Sequence, residues 1–331
     1  MDAEALFFAG PGRVELRPVE VDPPGPGQLL VRTAFSGISA GTELLAYRGQ
    51  LDPDMVRDET LGAFGGTFRY PFAYGYSCVG RVERAMADVP VGTPVFAFHP
   101  HQDRFVVDAN EVVVLDPSLD ARHATFFPLV ETALQIALDC GAVFEEPVVV
   151  VGLGEVGMLV ALLLQRAGAS VLGVEIRPER RKLADALGLR AGPPADAAAL
   201  IAELGGRGGA GLLVEASGAP DALTASLDLM AHEGTVLVAS WYGTRRVELA
   251  LGGAFHRRRL TLRSTQVSTI SSALSARWDI ARRRRTALAL LSELPVSELP
   301  VLELAFAQAA DAYATLDAGD GDQLHVRLRY E

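Results

Sequence analysis

Residues 146–165 read EPVVVVGLGEVGMLVALLLQ, and this stretch decides the fold. Four valines, 148–151, make a short apolar run of β-branched residues, which fits a strand buried on both faces. Gly152-Leu153-Gly154-Glu155-Val156-Gly157 then matches G-x-G-x-x-G, and the apolar run from Met158 to Ala167 continues as a helix. Alone, the six-residue pattern is weak; between strand and helix it acquires a mechanism. Gly152 permits the tight turn, Gly154 lets the backbone approach a pyrophosphate, and Gly157 lets helix and strand pack closely. The N–H groups at the helix start, notably those of Glu155 and Val156, hold the phosphates. A dinucleotide cradle is therefore expected along the whole loop, Leu153 included.

The next strand, "SVLGVE", closes on Glu175, 18 residues after Gly157. An acid there accepts hydrogen bonds from the adenosine ribose and repels a 2′-phosphate, so NAD(H) is favoured. Arg177, Arg180 and Arg181 follow, and an arginine such as Arg180 keeps NADP(H) open. The plainer alternative is that Glu175 caps a strand and the arginines lie on a helix surface.

Outward from this corner the chain alternates. "HATFFPLVETALQIALDCG" has helical spacing and stops at Gly141, and "PERRKLADALG" is a helix with Pro178 in its first turn. "GLLVEASG", a helix near "PDALTASLDLMA" and "GTVLVAS" complete a pattern that implies a parallel, doubly wound sheet. The first 120 residues instead show short β-type runs between Pro, Gly and Asp, as in a small barrel or sandwich. After Thr265 come two helical runs and a terminal strand, "QLHVRLRY". The expected organisation is α/β: a β-rich domain over 1–121, a Rossmann domain over 122–271, and a return to the first domain over 272–331.

Composition limits the function. A formal charge of −11 over 331 residues leaves no basic excess for nucleic acid or a membrane surface. Two arginine runs, Arg257–Arg259 and Arg282–Arg285, read as solvated faces, with a pocket for an anionic substrate as the alternative. Cys78 and Cys140 cannot make a disulfide framework or a four-cysteine zinc site. No signal peptide and no apolar window of membrane-spanning length are evident, so a cytoplasmic protein is expected.

The β-rich start, dinucleotide sheet and late return resemble the medium-chain dehydrogenase/reductase superfamily across essentially the whole chain. Its alcohol dehydrogenases carry a "GICGTD" loop, a "GHE" turn and a four-cysteine lobe. Here the loop reads "GISAGTE", with Ser39 near the place of a thiolate; the turn reads Gly75-Tyr76-Ser77; the lobe is missing. Zinc takes Cys, His or carboxylate ligands, so Tyr76 and Ser77 do not serve. Glu131 stands where some relatives supply a ligand, and a substitute set of His99, His101 and Glu131 is the remaining route to a metal. The reading is that no zinc is used. The chain looks most like the zinc-lacking branch near the bacteriochlorophyllide hydroxyethyl dehydrogenases, through "GIS-GTE" and "YP-GY". It also resembles bacterial proteins labelled zinc-binding alcohol dehydrogenases, through Ser240-Trp241-Tyr242-Gly243, Phe255-His256, Arg259-Leu260 and Arg277-Trp278. The resemblance implies a GroES-like first domain.

Reducing a carbonyl builds negative charge on oxygen, which a metal or protein donors must stabilise. By the resemblance, Ser39 and Thr42 lie on the loop facing the nicotinamide, and Tyr76 takes a ligand's place. His99 follows a strand and suits a proton donor. Glu43 matches a structural Asp. Each has a plainer alternative, in capping, packing or a solvated turn. Thr132 matches a residue beside the nicotinamide, Ser217-Gly218 a turn near its ribose, Ser240 a strand end facing the ring, and Gln266 a carboxamide partner. Trp241 and Tyr242 would form an aromatic wall for the substrate, or else core. The expected function is a zinc-independent NAD(P)-dependent alcohol/carbonyl oxidoreductase, acting as a homodimer on a small molecule. Alternatives are an enoyl or quinone reductase and a dinucleotide-binding protein without turnover; a methyltransferase fits the glycine pattern less well.

Overall fold

The computed structural model describes residues 1–58, 62–319 and 321–331. Among these, the chain divides into two compact units: Met1–Pro128 with Val296–Glu331, and Leu129–Pro295. These divisions differ from those expected, 121/122 and 271/272. The segment 272–295 belongs to the second unit, where a buried arginine at 283 donates to residues 131 and 135.

Unit 1 begins with β1 (Asp2–Gly10), β2 (Arg13–Glu20), β3 (Gln28–Ile38), α1 (Ala40–Tyr47) and β4 (Phe72–Ala73). β5 (Cys78–Ala85), β6 (Pro94–Ala97), β7 (Arg104–Asp108), β8 (Val112–Val114) and α2 (Ala121–Ala124) follow. β2, β1 and β4 form an antiparallel sheet of three. Residues 40–47, which their glycine-rich setting suggests as loop, are a helix. Its second half is buried all round, at Leu44, Leu45, Ala46 and Tyr47, and Glu43 turns back onto the N–H of Ser39. Tertiary anchorage overrides the weak local propensity.

α3 (Phe127–Cys140) leads into unit 2. There β9 (Pro147–Val151), α4 (Glu155–Arg166), β10 (Ser170–Val174), α5 (Pro178–Ala186), β11 (Arg190–Gly192) and α6 (Ala197–Glu203) precede β12 (Ala210–Glu215), α7 (Pro220–Ser226), β13 (Met230–Val238), β14 (Thr261–Ser264) and α8 (Ile280–Glu293). The strands lie in the order β11-β10-β9-β12-β13-β14, every neighbouring pair parallel. Both faces are covered, so β9 and β10 read as nearly continuous apolar runs. The chain goes outward from β9 to one side and then crosses back to β12. The order thus reverses between β9 and β12, and open α/β sheets bind ligands at the carboxyl ends of strands flanking such a reversal.

The chain then returns to unit 1 with β15 (Val301–Ala305), α9 (Ala309–Ala318) and β16 (His325–Arg329). β16 lies between β15 and β3 in a sheet of order β15-β16-β3-β5-β6-β8, with β7 also paired to β3. Phe8, Tyr47, Phe72, Tyr74 and Tyr313 fill the core beside it.

Candidate functional site

The glycine corner has the geometry its sequence implies. Gly152 sits at φ +88°, and a Cβ there would meet the Ser217 backbone, 2.5 Å from its Cα. A Cβ on Gly157 would overlap the Gly152 carbonyl oxygen. Gly154 differs: its Cβ direction is open, with only Arg180 Nη1 near, at 3.8 Å. The corner is therefore closed toward the protein at two glycines and open at the one that would face a diphosphate. Gly154 is the N-cap of α4, whose first-turn N–H groups lack partners within the helix.

Glu175 is 5% exposed and ties this loop to the next turn. Its Oε2 accepts from Leu153 N at 2.8 Å and its Oε1 from Arg177 N at 2.9 Å. Arg180 Nη1 stands 3.8 Å from Oε2. Burial lowers the guanidinium pKa of Arg180, partly offset by Glu175. Two carboxylate oxygens offer about four lone-pair sites. Lone pairs therefore remain on Glu175 for a further donor such as a ribose hydroxyl, with the Arg180 guanidinium 3.8 Å away. The residues present fit a dinucleotide.

A second anchorage ties the loops after β12 and β13. Glu215 is fully buried; Ser217 donates to its Oε1 from N at 2.7 Å and from Oγ at 2.5 Å. The Tyr242 hydroxyl donates to Oε2 at 2.6 Å, and Ser240 Oγ accepts from Gly218 N at 2.8 Å. Burial first, then Glu215, pushes the Tyr242 phenol pKa up. The expected pairing of Trp241 with Tyr242 as one aromatic wall needs correction. Trp241 is 39% exposed, whereas Tyr242 packs on the sheet core with its hydroxyl committed. Gln266 is exposed and donates to Ser268 Oγ at 2.7 Å; Thr132 is half-buried on α3.

In unit 1, Ser39 is the N-cap of α1 but makes no side-chain cap bond, and Thr42 is half-buried in the first turn. Glu43 and His101 are both fully buried. Glu43 Oε1 accepts from Ser39 N at 2.8 Å, and Oε2 lies 3.0 Å from His101 Nε2 and accepts from the Tyr313 hydroxyl. His101 Nδ1 is 2.7 Å from Ser36 Oγ, which is 2.9 Å from the Tyr330 hydroxyl. Because a carboxylate only accepts, the consistent assignment puts a proton on His101 Nε2 and lets Nδ1 accept from Ser36. This network fixes the loop that carries Ser39. Tyr76 is half-buried and meets the Tyr74 ring edge-on at 6.3 Å.

His99 does not suit the donor role expected of it. Its ring stacks on Phe105 at 3.9 Å, and desolvation lowers its pKa to about 4. Nδ1 faces the Pro100 carbonyl at 2.9 Å and so carries the hydrogen, leaving Nε2 a lone pair. At neutral pH it is an acceptor. It lines a cavity of about 450 Å³ with Arg57, Arg69 and Gln102.

The substitute metal set also fails on its donors. His99 is stacked, His101 is spent on Glu43 and Ser36, and Glu131 is held by arginines, Arg283 Nη2 at 3.0 Å and Arg284 Nε at 3.5 Å. Ser77 donates to the Thr125 carbonyl at 2.9 Å. Among the described residues no group of three His, Cys, Asp or Glu converges as metal ligands. These donors do not fit zinc. The arginine runs are largely solvated faces, as expected: Arg257, Arg259, Arg282 and Arg285 are exposed, whereas Arg258 donates to the Met230 carbonyl at 2.6 Å and Arg283 is buried.

Sequence reading missed Ser36, Glu215, Arg283, Tyr313 and Tyr330, and named His101 only in a metal set that it set aside. Arg283 had a signal: it shares one helical stripe with Ala287 and Leu291, all three buried.

A family model described as zinc-binding dehydrogenase matches residues 156–286. The 2-desacetyl-2-hydroxyethyl bacteriochlorophyllide A dehydrogenase of Cereibacter sphaeroides is 32% identical over 206 residues, 56% of this chain and 60% of that relative's length. The enzyme of the same name from Rhodobacter capsulatus is 28% identical over 337 residues, covering 95% of this chain and 94% of its own. A solved alcohol dehydrogenase from Escherichia coli, in complex with NADH, superposes with a TM-score of 0.78 at 16% identity over 99% of each chain, a likeness of fold.

Proposed function

Because the chain belongs to the medium-chain dehydrogenase/reductase superfamily, we propose that it is an NAD(P)-dependent oxidoreductase acting without zinc on an alcohol/carbonyl pair. The carrying observation is the corner closed at Gly152 and Gly157, open at Gly154 and latched by Glu175. A nicotinamide dinucleotide bound there supplies or accepts the hydride. Leu153 through Val156 cradle its diphosphate, and Glu175 receives the adenosine ribose, with NAD(H) favoured over NADP(H). Ser217, Gly218, Ser240, Thr132 and Gln266 serve the nicotinamide half. Trp241 offers an exposed indole to a ring-bearing substrate.

Ser39, Thr42 and Tyr76 supply hydroxyl donors for the substrate oxygen; His99 is withdrawn from that set. One such donor is worth about 10²–10³-fold in rate, so protein groups can carry much of what a Lewis acid would. Elemental analysis should find well under one zinc per chain; one zinc per chain would refute the zinc-free reading. Titration with NADH tests the corner, and a turnover panel of secondary alcohols against 2-enones tests the reaction class. We also propose a cytoplasmic homodimer pairing through β14, whose four residues are all exposed. A monomer in light scattering would reject the dimer.

A further inference from the structure

Arg283 is 2% exposed, and no role at the corner requires it. Its guanidinium spends its donors on two other segments of unit 2, α3 and the stretch at Thr269. Nε and Nη2 both reach Glu131 Oε1 at 3.0 Å, and Nη1 reaches Gln135 Oε1 at 2.7 Å and, at 3.5 Å, the Thr269 carbonyl. Glu131 and Gln135 are 2% and 1% exposed and lie one turn apart on α3. Gln135 Nε2 has no hydrogen-bond partner among the described residues, so the guanidinium alone orients that amide. Arg284 adds a second cation 3.5 Å from Glu131 Oε1.

What these partners adjoin gives the clamp its meaning. Thr132 follows Glu131 directly, and Gln266 lies three positions before Thr269. Both belong to the nicotinamide half of the proposed cofactor site. The adenine half has its own supports, Glu175, Arg180 and the glycine corner, none of which touches Arg283. We infer that Arg283 is a positioning residue for the nicotinamide end: a buried planar fork that sets α3, the 266–269 segment and α8 in one register. A charge without the fork would not do this, because a lysine ammonium cannot hold Glu131 and Gln135 at fixed angles together.

The inference rests on the dinucleotide reading, and the test separates the two. Binding of NADH and of ADP-ribose, which lacks the nicotinamide, is measured by fluorescence and calorimetry for wild type, Arg283→Lys, and the charge-neutral double variant Glu131→Gln/Arg283→Met. Wild type should bind both. Arg283→Lys should bind NADH about tenfold more weakly while its ADP-ribose affinity stays within about twofold. The double variant removes the uncompensated charge, so it keeps the comparison available if the lysine variant folds poorly, and it should show the same selective loss. Equal weakening of both ligands, or no change in either, would overturn the positioning role. A wild-type protein that binds neither ligand would sink the dinucleotide reading, and this role with it.

Discussion

Replacing Glu175 with Gln keeps the shape of the side chain and removes its charge. In the native corner its two oxygens each accept from a backbone N–H, Leu153 at 2.8 Å and Arg177 at 2.9 Å, in a site 5% exposed. A carboxamide retains one oxygen, so one of these charge-assisted bonds is lost and an amide N–H is set against an N–H donor. A bond to a charged group contributes about 1.5–3 kcal/mol and a buried unpaired polar group costs about 1–3 kcal/mol; allowing for relaxation, the variant should lose about 2–4 kcal/mol. Urea unfolding followed by tryptophan fluorescence suits the measurement, because Trp241 and Trp278 both lie in unit 2. The same change removes the negative charge beside the ribose and leaves Arg180 in place. The ratio of NADP(H) to NAD(H) affinity should therefore rise about tenfold. A stability change below about 0.5 kcal/mol together with an unaltered ratio would refute the latch and the selection argument alike.

Three further outcomes are expected. Tyr242→Phe strips one donor from the fully buried Glu215 and should destabilise unit 2 by about 1.5–3 kcal/mol in the same urea assay. Unfolded His99 takes a proton below its ordinary 6.5 but the folded residue only below about 4, so it contributes stability above pH 6.5 that is lost as pH falls toward 4. The gap between wild type and His99→Gln, read from urea midpoints at pH 4.5 and 7.5, should shift accordingly; a pH-independent gap would contradict it. Burial pushes the Cys140 thiol up to about 12 and raises that of Cys78 too, so neither should react with a disulfide reagent at pH 8 at the rate of free cysteine until the chain unfolds.

The doubly wound sheet was legible because its inner strands are apolar on both sides, and the corner because a tight turn between strand and helix demands glycine. β14 was not: Thr261, Leu262, Arg263 and Ser264 are all exposed, and an edge strand carries no period to read. α1 hid behind its glycine and threonine because what holds it, Glu43 against His101 and Tyr313, joins positions 58 and 270 residues apart. Among four consecutive arginines, successive side chains rotate by about 100°, so one faces inward. Which one depends on where the helix starts, and Asp279, accepting from Arg282 N at 2.6 Å, sets that start. The donor role read for His99 failed for a different reason: its ring lies against Phe105, a contact that position in a turn does not announce.

The placement of β16 has a consequence for how the chain is made. β3 finds one of its neighbours only in residues 325–329, with Val326 opposite Ile38 and Arg329 opposite Phe35. During synthesis, residues 129–295 emerge complete while the earlier β-rich portion still waits for its closing strand, with β3 unpaired from Phe35 to Ile38 on the flank where β7 covers Gln28 to Arg32. The nucleotide sheet is thus an uninterrupted insertion that can fold ahead of the unit framing it. Damage to β16 would expose the short edge of β3 from Phe35 to Ile38, a template for aggregation, with the glycine corner untouched.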